Sequence, residues 1–153
     1  MPGSEKAWQR RSEGLASVSG IEIALAQNED GDRLRELVKQ AGFLSADELD
    51  WSDIYPYWLV ARIKGEVMGC IQIAMSKPVG YAEMLSIDQS VGHKTRALMV
   101  RELVLQANAT LAKDGVSMVV GLISFELKSF KRILKKHGAK VIRTGNVLAK
   151  RLK

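Results

Sequence analysis

Apolar and polar residues alternate through Ile21-Glu22-Ile23-Ala24-Leu25, the two-residue period of a strand with one covered face. After Asp30 and Asp32 the period lengthens. Leu34, Leu37, Val38 and Ala41 fall at i, i+3, i+4 and i+7, which predicts a helix capped by one of the two aspartates and stopped by Gly42. The next stretch, Phe43 to Pro56, is less regular. Ser45 is a candidate cap for a short helix reaching Leu49, and Pro56 ends it. Alternation then returns: Tyr57, Leu59, Ala61 and Ile63 share one strand face, and Lys64-Gly65 has the composition of a two-residue turn. Val67, Gly69, Ile71, Ile73 and Met75 line the following strand. A connection over Ser76–Gly80 leads into a third strand, Tyr81–Ile87. Three successive antiparallel strands form a meander, which needs helices to cover it.

The second half opens with a long helix starting at Thr95 or Ala97 and ending at Lys113. Its expected stripe is Ala97, Val100, Val104, Ala107 and Leu111, widened by Leu98 and Leu105, with Gly115 closing it. Val116–Ile123 is nearly all apolar and reads as a strand buried on both faces. Glu126–His137 predicts a helix with Leu127, Phe130, Ile133 and Leu134 inward, Lys128, Lys131, Arg132 and Lys135 outward, and Gly138 after its end. Lys140–Arg143 and Val147–Leu152 flank Thr144-Gly145-Asn146 as a closing hairpin. The deduced order is β-α-α-β-β-β-α-β-α-β-β, an α+β arrangement with a mixed, mostly antiparallel sheet. Residues 1–20 show no sustained period and read as a flexible N-terminal arm. Residues 21–153 read as one domain.

Composition adds limits to this picture. A chain of 153 residues, 46% hydrophobic and 26% charged, is of ordinary globular type and large enough for one core. No apolar run approaches the roughly 18–20 residues of a membrane span, and the N-terminus lacks an apolar leader core, so a cytoplasmic protein without a membrane partner is expected. The single cysteine, Cys70, allows no internal disulfide and no zinc site. No metal is expected. The net charge of +6 is uneven. Lys128–Lys153 holds seven Lys, three Arg and no acidic residue, whereas Asn28–Asp53 holds eight Asp/Glu against three Lys/Arg. The basic end suits phosphates or nucleic acid, and the acidic segment, with Trp51 and Tyr55 among its carboxylates, suits a cationic substrate. Both also fit plain solvated faces.

The phrases WLVARIKGEVMGCIQI and GYAEMLSID, set before a loop and a long helix in this element order, resemble the GNAT family of acyl-CoA-dependent N-acyltransferases over about residues 21–152. The resemblance implies a sheet whose fourth and fifth strands splay apart, with the pantetheine arm of acetyl-CoA lying between them like an extra strand. Backbone groups of Leu85 and Ile87 are then the ligands of that arm. The pyrophosphate is expected over the loop and helix start at Gly92, His93, Lys94, Thr95 and Arg96, where free N–H groups attract negative charge. Two departures stand out. Of the family's glycine-rich loop, one register keeps only the final small residue, Ala97. The late-helix Tyr that protonates departing thiolate is replaced by Leu134.

The resemblance implies direct attack of an amine on the thioester. An alkyl ammonium with a pKa of about 10 must first lose a proton, so a carboxylate base is expected. Glu83 is the candidate, on the expectation that it shares a strand face with Leu85 and Ile87. Asp88 and His93 follow, while Tyr81 and Ser124 are alternative acids. His137 most simply complements a helix dipole. Three function classes stay open: an acetyltransferase acting on an amine of a small molecule or of a protein lysine or N-terminus, a catalytically inactive relative serving in binding or assembly, and a nonspecific nucleic-acid binder using the Lys128–Lys135 face. The edge of the closing hairpin is compatible with a homodimer.

Overall fold

A computed structural model of the chain describes residues 20–43, 58–121, 128–136 and 138–141. The N-terminal arm, the helix expected after Ser45 and most of the closing hairpin lie outside the described residues. The chain divides into two compact units, Met1–Ile123 and Ser124–Lys153.

The first unit is a five-stranded sheet with two helices. Its elements are β1 (Ile21–Leu25), a 3-10 turn (Asn28–Asp30), α1 (Gly31–Gln40), β2 (Trp58–Ile63), β3 (Glu66–Ser76), β4 (Val79–Ile87), α2 (His93–Lys113) and β5 (Met118–Val120). Strands follow chain order across the sheet, antiparallel from β1 to β4 and parallel between β4 and β5. The α+β class and the meander expected from the sequence are present.

Leu34, Leu37 and Val38 of α1 are fully buried and pack with Trp58, Val60, Val67 and Cys70. Each such side chain contributes on the order of 1.5–3 kcal/mol through removal of apolar surface from water. Ala41, expected on this stripe, is exposed because the helix ends at Gln40 and the chain turns away through Gly42 at φ +85. Asp30 is the N-cap residue, yet its carboxylate does not cap the helix. It accepts from the Gln27 N–H at 2.8 Å and from Arg62 Nη2 at 2.7 Å.

The expectation of one covered face on β2 is too modest. Trp58, Leu59, Val60 and Ala61 all have zero exposure, since α1 covers one face and α2 the other. Gly69, opposite Ala61, marks the α2 side: a Cβ there would fall 2.6 Å from Met99 Sδ. The register between β2 and β3 slips by one residue after Ala61, where Arg62 pairs with Val67. That bulge puts Val67 on the α1 face and Gly69 on the α2 face, so the two do not line one side as alternation predicted.

Three further expectations need correction. The link before β4 is a turn of Lys77 and Pro78, because pairing already starts at Ser76 with Val79. The long helix begins at His93, with Gly92 as N-cap, and its buried face is Met99, Val100, Glu102, Leu103, Gln106, Ala107 and Leu111. Leu98 and Leu105 are exposed, and so is Ala97. Apolar residues surround this helix on most sides, so periodicity alone does not fix which face turns inward. Finally, β5 spans only three described residues, of which Met118 and Val119 are exposed. It is therefore not a strand covered on both sides.

In the second unit, α3 runs Lys128–Lys136. Gly138 and Ala139 donate back to the Lys135 and Leu134 carbonyls at 3.1 Å each, which satisfies the last turn as expected of a glycine in that place. No described helix is long and apolar enough to cross a membrane.

Candidate functional site

Among the described residues, β4 is paired on both edges at one end and on one edge at the other. Val79, Gly80 and Tyr81 pair with Met118, Val119 and Val120, and there the β4–β5 ladder stops. The backbones stay close as far as Ala82, whose carbonyl oxygen would lie 2.9 Å from a Cβ on Gly121. From Glu83 to Ile87 the edge away from β3 has no strand partner among the described residues. The parting of neighbouring strands expected from the sequence involves residues 122 and 123, which lie outside the described residues.

The open edge offers hydrogen-bonding groups. Asp88 N–H donates to the Met68 carbonyl on β3 at 2.8 Å. A trans peptide points its N–H and C=O in opposite directions, so the Ile87 carbonyl faces the open side, and strand alternation turns the Ile87 N–H the same way. An extended ligand carrying amides can pair there as an added strand.

A second bulge shapes this end. Cys70 pairs with Ser86 but Gln72 pairs with Glu83, so β4 carries one extra residue, and Met84 takes φ +53. Cross-strand partners share a face. Glu83 and Ser86 therefore lie on the α1 side with Gln72 and Cys70, while Ile87 lies with Gly69 on the α2 side. The premise that Glu83 shares a face with Leu85 and Ile87 is corrected by this bulge: Glu83 lines the opposite side of the same edge. It is half-buried, and burial pushes its carboxyl above the ordinary value, the direction suited to a proton acceptor near neutrality.

At the end of β4 the chain turns into α2. The first intrahelical bond of the turn, Arg96 N–H to the Gly92 carbonyl at 2.8 Å, leaves the N–H groups of His93, Lys94 and Thr95 without acceptors among the described residues. No side chain caps them, and no acidic residue occupies the first turn. His93 and Lys94 are exposed, and Thr95 is half-buried. Gly92 has open space around it. Together these make a positively polarised helix end, uncovered among the described residues and one short loop after Ile87. Arg96 is partly committed elsewhere, since its Nη2 donates to the Asp88 carbonyl at 3.0 Å.

Asp88 is not placed as a base. Its Oδ1 accepts from both the N–H (2.9 Å) and the hydroxyl of Ser90, and its Oδ2 accepts from Arg33 Nη2 at 2.7 Å. The Ser90 hydroxyl, the Ser90 N–H and the Arg33 guanidinium hold its carboxyl down to about 2. Arg33 and Ser90 carry no sequence signal for this role: one looks like an outward helix residue, the other like a loop serine. Cys70 is a packed thiol. Burial pushes it up to about 12 against the opposing pull of Ser86 and Arg33, which leaves it unreactive. Tyr81 sits on the Glu83 face of β4, at the paired end. Ser124 and His137 lie outside the described residues. Leu134 is half-buried in α3, within the separate second unit.

Searched by sequence, the chain matches no family model and no curated protein. Its structure, by contrast, is similar to several solved N-acetyltransferases. An aminoglycoside N-acetyltransferase AAC(6')-Iy in complex with CoA matches with a TM-score of 0.66 at 17% identity, over 86% of this chain and 95% of that one. The PaiA N-acetyltransferase from Thermoplasma acidophilum in complex with coenzyme A gives 0.69 at 17% identity, over 82% and 92%. A ribosomal-protein-alanine N-acetyltransferase from Brucella melitensis gives 0.64 at 14% identity, over 85% and 99%. The chain has the fold of GNAT-type N-acetyltransferases.

Proposed function

We propose that this chain is an N-acyltransferase that moves an acetyl group from acetyl-CoA to a primary amine of a small molecule or protein. The observation that carries the reading is the Glu83–Ile87 edge of β4, which has no strand partner among the described residues, set one short loop before a helix N-terminus that no side chain caps. A ligand with an amide-bearing arm and a polyphosphate end fits that sequence of features, and the fold it shares with CoA-bound acetyltransferases supports the choice.

In this reading the pantetheine amides pair with Leu85 and Ile87. The phosphates rest on the N–H groups of His93, Lys94 and Thr95, with a ring N–H from His93 and charge from Lys94 and the remaining donors of Arg96. The thioester then lies beside the Met84 bulge. The acceptor enters from the α1 face, where Glu83 takes a proton from the ammonium, directly or through water. The neutral nitrogen attacks the thioester carbon, the C–N bond forms, the C–S bond breaks and CoA leaves as thiolate, while the surplus proton on the new amide nitrogen passes to water. With an aqueous pKa of about 8–9, that thiolate leaves without an obligatory acid, which suits a chain with Leu134 at the family's Tyr position. An acceptor of aminoglycoside, polyamine or protein-amine type and a cytoplasmic site of action belong to the same proposal.

Free-thiol release from acetyl-CoA with a panel of polyamines, aminoglycosides and lysine peptides tests it. Amine-dependent release is the expected result. Calorimetric binding of CoA without release for any acceptor would instead support the inactive binding protein, a reading that Leu134 favours. No binding at millimolar ligand would end both.

A further inference from the structure

Helix α1 is wired to the loop that leads into α2. Arg33 Nη2 donates to Asp88 Oδ2 at 2.7 Å, its Nε donates to the Val67 carbonyl at 2.9 Å, and Met68 Sδ lies 3.8 Å from Nη2. One guanidinium thus grips the β3 bulge and the first residue after β4 together. Asp88 passes this hold forward. Its Oδ1 receives the Ser90 N–H and hydroxyl, while its carbonyl receives the Val91 N–H at 3.1 Å and Arg96 Nη2 at 3.0 Å. A longer, weaker link runs from the Gln89 N–H to Gln40 Oε1 at 3.5 Å, at the other end of α1. The bonds that Asp88, Ser90, Val91 and Arg96 make in this set fix the backbone between Ile87 and Arg96, and the Arg33 guanidinium is already engaged by Asp88, Glu36 and the Val67 carbonyl.

We propose that Arg33 and Asp88 are positioning residues that pre-form the 88–96 loop for the phosphate end of the cofactor. The inference rests on the acetyl-CoA reading above and assigns the pair no direct contact with ligand. A loop held in advance binds phosphates without the cost of ordering it at the moment of binding. Removing the hold therefore weakens the part of the ligand that lies on the loop and spares the part that lies on β4. Because the Asp88 N–H anchors Ile87 through the Met68 carbonyl, and that bond uses no side chain, the β4 edge keeps its geometry when the ion pair is lost.

The test compares two ligands on the full chain: acetyl-CoA, and S-acetylpantetheine, which has the same arm and thioester but no nucleotide and no pyrophosphate. Dissociation constants are measured for the unaltered protein, for Asp88→Asn, for Arg33→Gln and for the milder Ser90→Ala, with melting curves confirming that each variant is folded. The expected result is about a tenfold loss of acetyl-CoA affinity in Asp88→Asn and Arg33→Gln, a smaller loss in Ser90→Ala, and S-acetylpantetheine affinity within about twofold of the original. The double variant is expected to lose little more than either single one, because both break one link. Equal losses for both ligands, or no loss for acetyl-CoA, overturn the positioning role. Should the two strong variants fail to fold, Ser90→Ala decides by the same comparison. Failure of the unaltered protein to bind acetyl-CoA overturns the functional reading itself, and this inference with it.

Discussion

The two ends of β4 are built to opposite rules. At Val79–Tyr81 the strand is paired on both edges, and its glycine is hemmed in: a Cβ on Gly80 would lie 2.9 Å from Val116 and 3.0 Å from Leu111. At Glu83–Ile87 one edge has no strand partner among the described residues, the strand bulges, and Met84 takes a left-handed backbone conformation that a side chain disfavours. The closed end is a packing element. The open end has polar backbone without a strand partner among the described residues and tolerates strain, as sites for ligands do. A single strand thus joins the stable part of the sheet to the part proposed for chemistry.

This contrast implies that damage at the two ends separates. At the open end, Glu83→Gln is expected to lower turnover about 100-fold while leaving acetyl-CoA affinity unchanged, measured by steady-state kinetics beside calorimetry. The acidic limb of kcat/KM should lie above the ordinary carboxylate value in the unaltered protein, because burial raises the Glu83 carboxyl, and should vanish in the variant. At the closed end, Gly80→Val is expected to cost about 1–3 kcal/mol of stability in denaturant titrations through overpacking, with cofactor affinity of the folded protein intact. A variant that loses affinity and stability together would erase the distinction.

The sequence carried much of this arrangement and missed the rest for identifiable reasons. The stripe Leu34, Leu37, Val38 and the meander of β2, β3 and β4 were legible because covered faces leave a regular period. The two bulges were not, since an extra residue at Met84 or near Met68 has no compositional mark: the left-handed position is held by Met where Gly or Asn would announce it. Each bulge reverses the parity that alternation relies on, and for that reason Glu83 falls on the side opposite Ile87. The loop was legible as a basic, glycine-poor connection. The Arg33–Asp88 link that holds it joins residues 55 positions apart in the chain, which no local pattern encodes.

Smaller effects sharpen the contrast. His93→Ala with Lys94→Ala is expected to weaken acetyl-CoA binding about fivefold and to reduce its salt dependence, because both side chains are exposed beside the free N–H groups. Asp88 adds a pH signature. Its folded value near 2 lies below the roughly 3.9 of an unfolded chain, so its stabilisation is complete above about pH 4 and is lost as pH falls through 2. After allowance for solvent screening the change is about 1 kcal/mol, readable in acid-unfolding curves and absent in Asp88→Asn.

The central claim is that the Glu83–Ile87 edge of β4 receives the extended arm of acetyl-CoA. Residue-resolved amide hydrogen exchange, with and without CoA, measures this directly. The account predicts that the Ile87 N–H becomes protected on binding while Gly80 and Tyr81, already closed, do not change. Binding that leaves Ile87 exchange unaltered, or slows all of β4 alike, would contradict it.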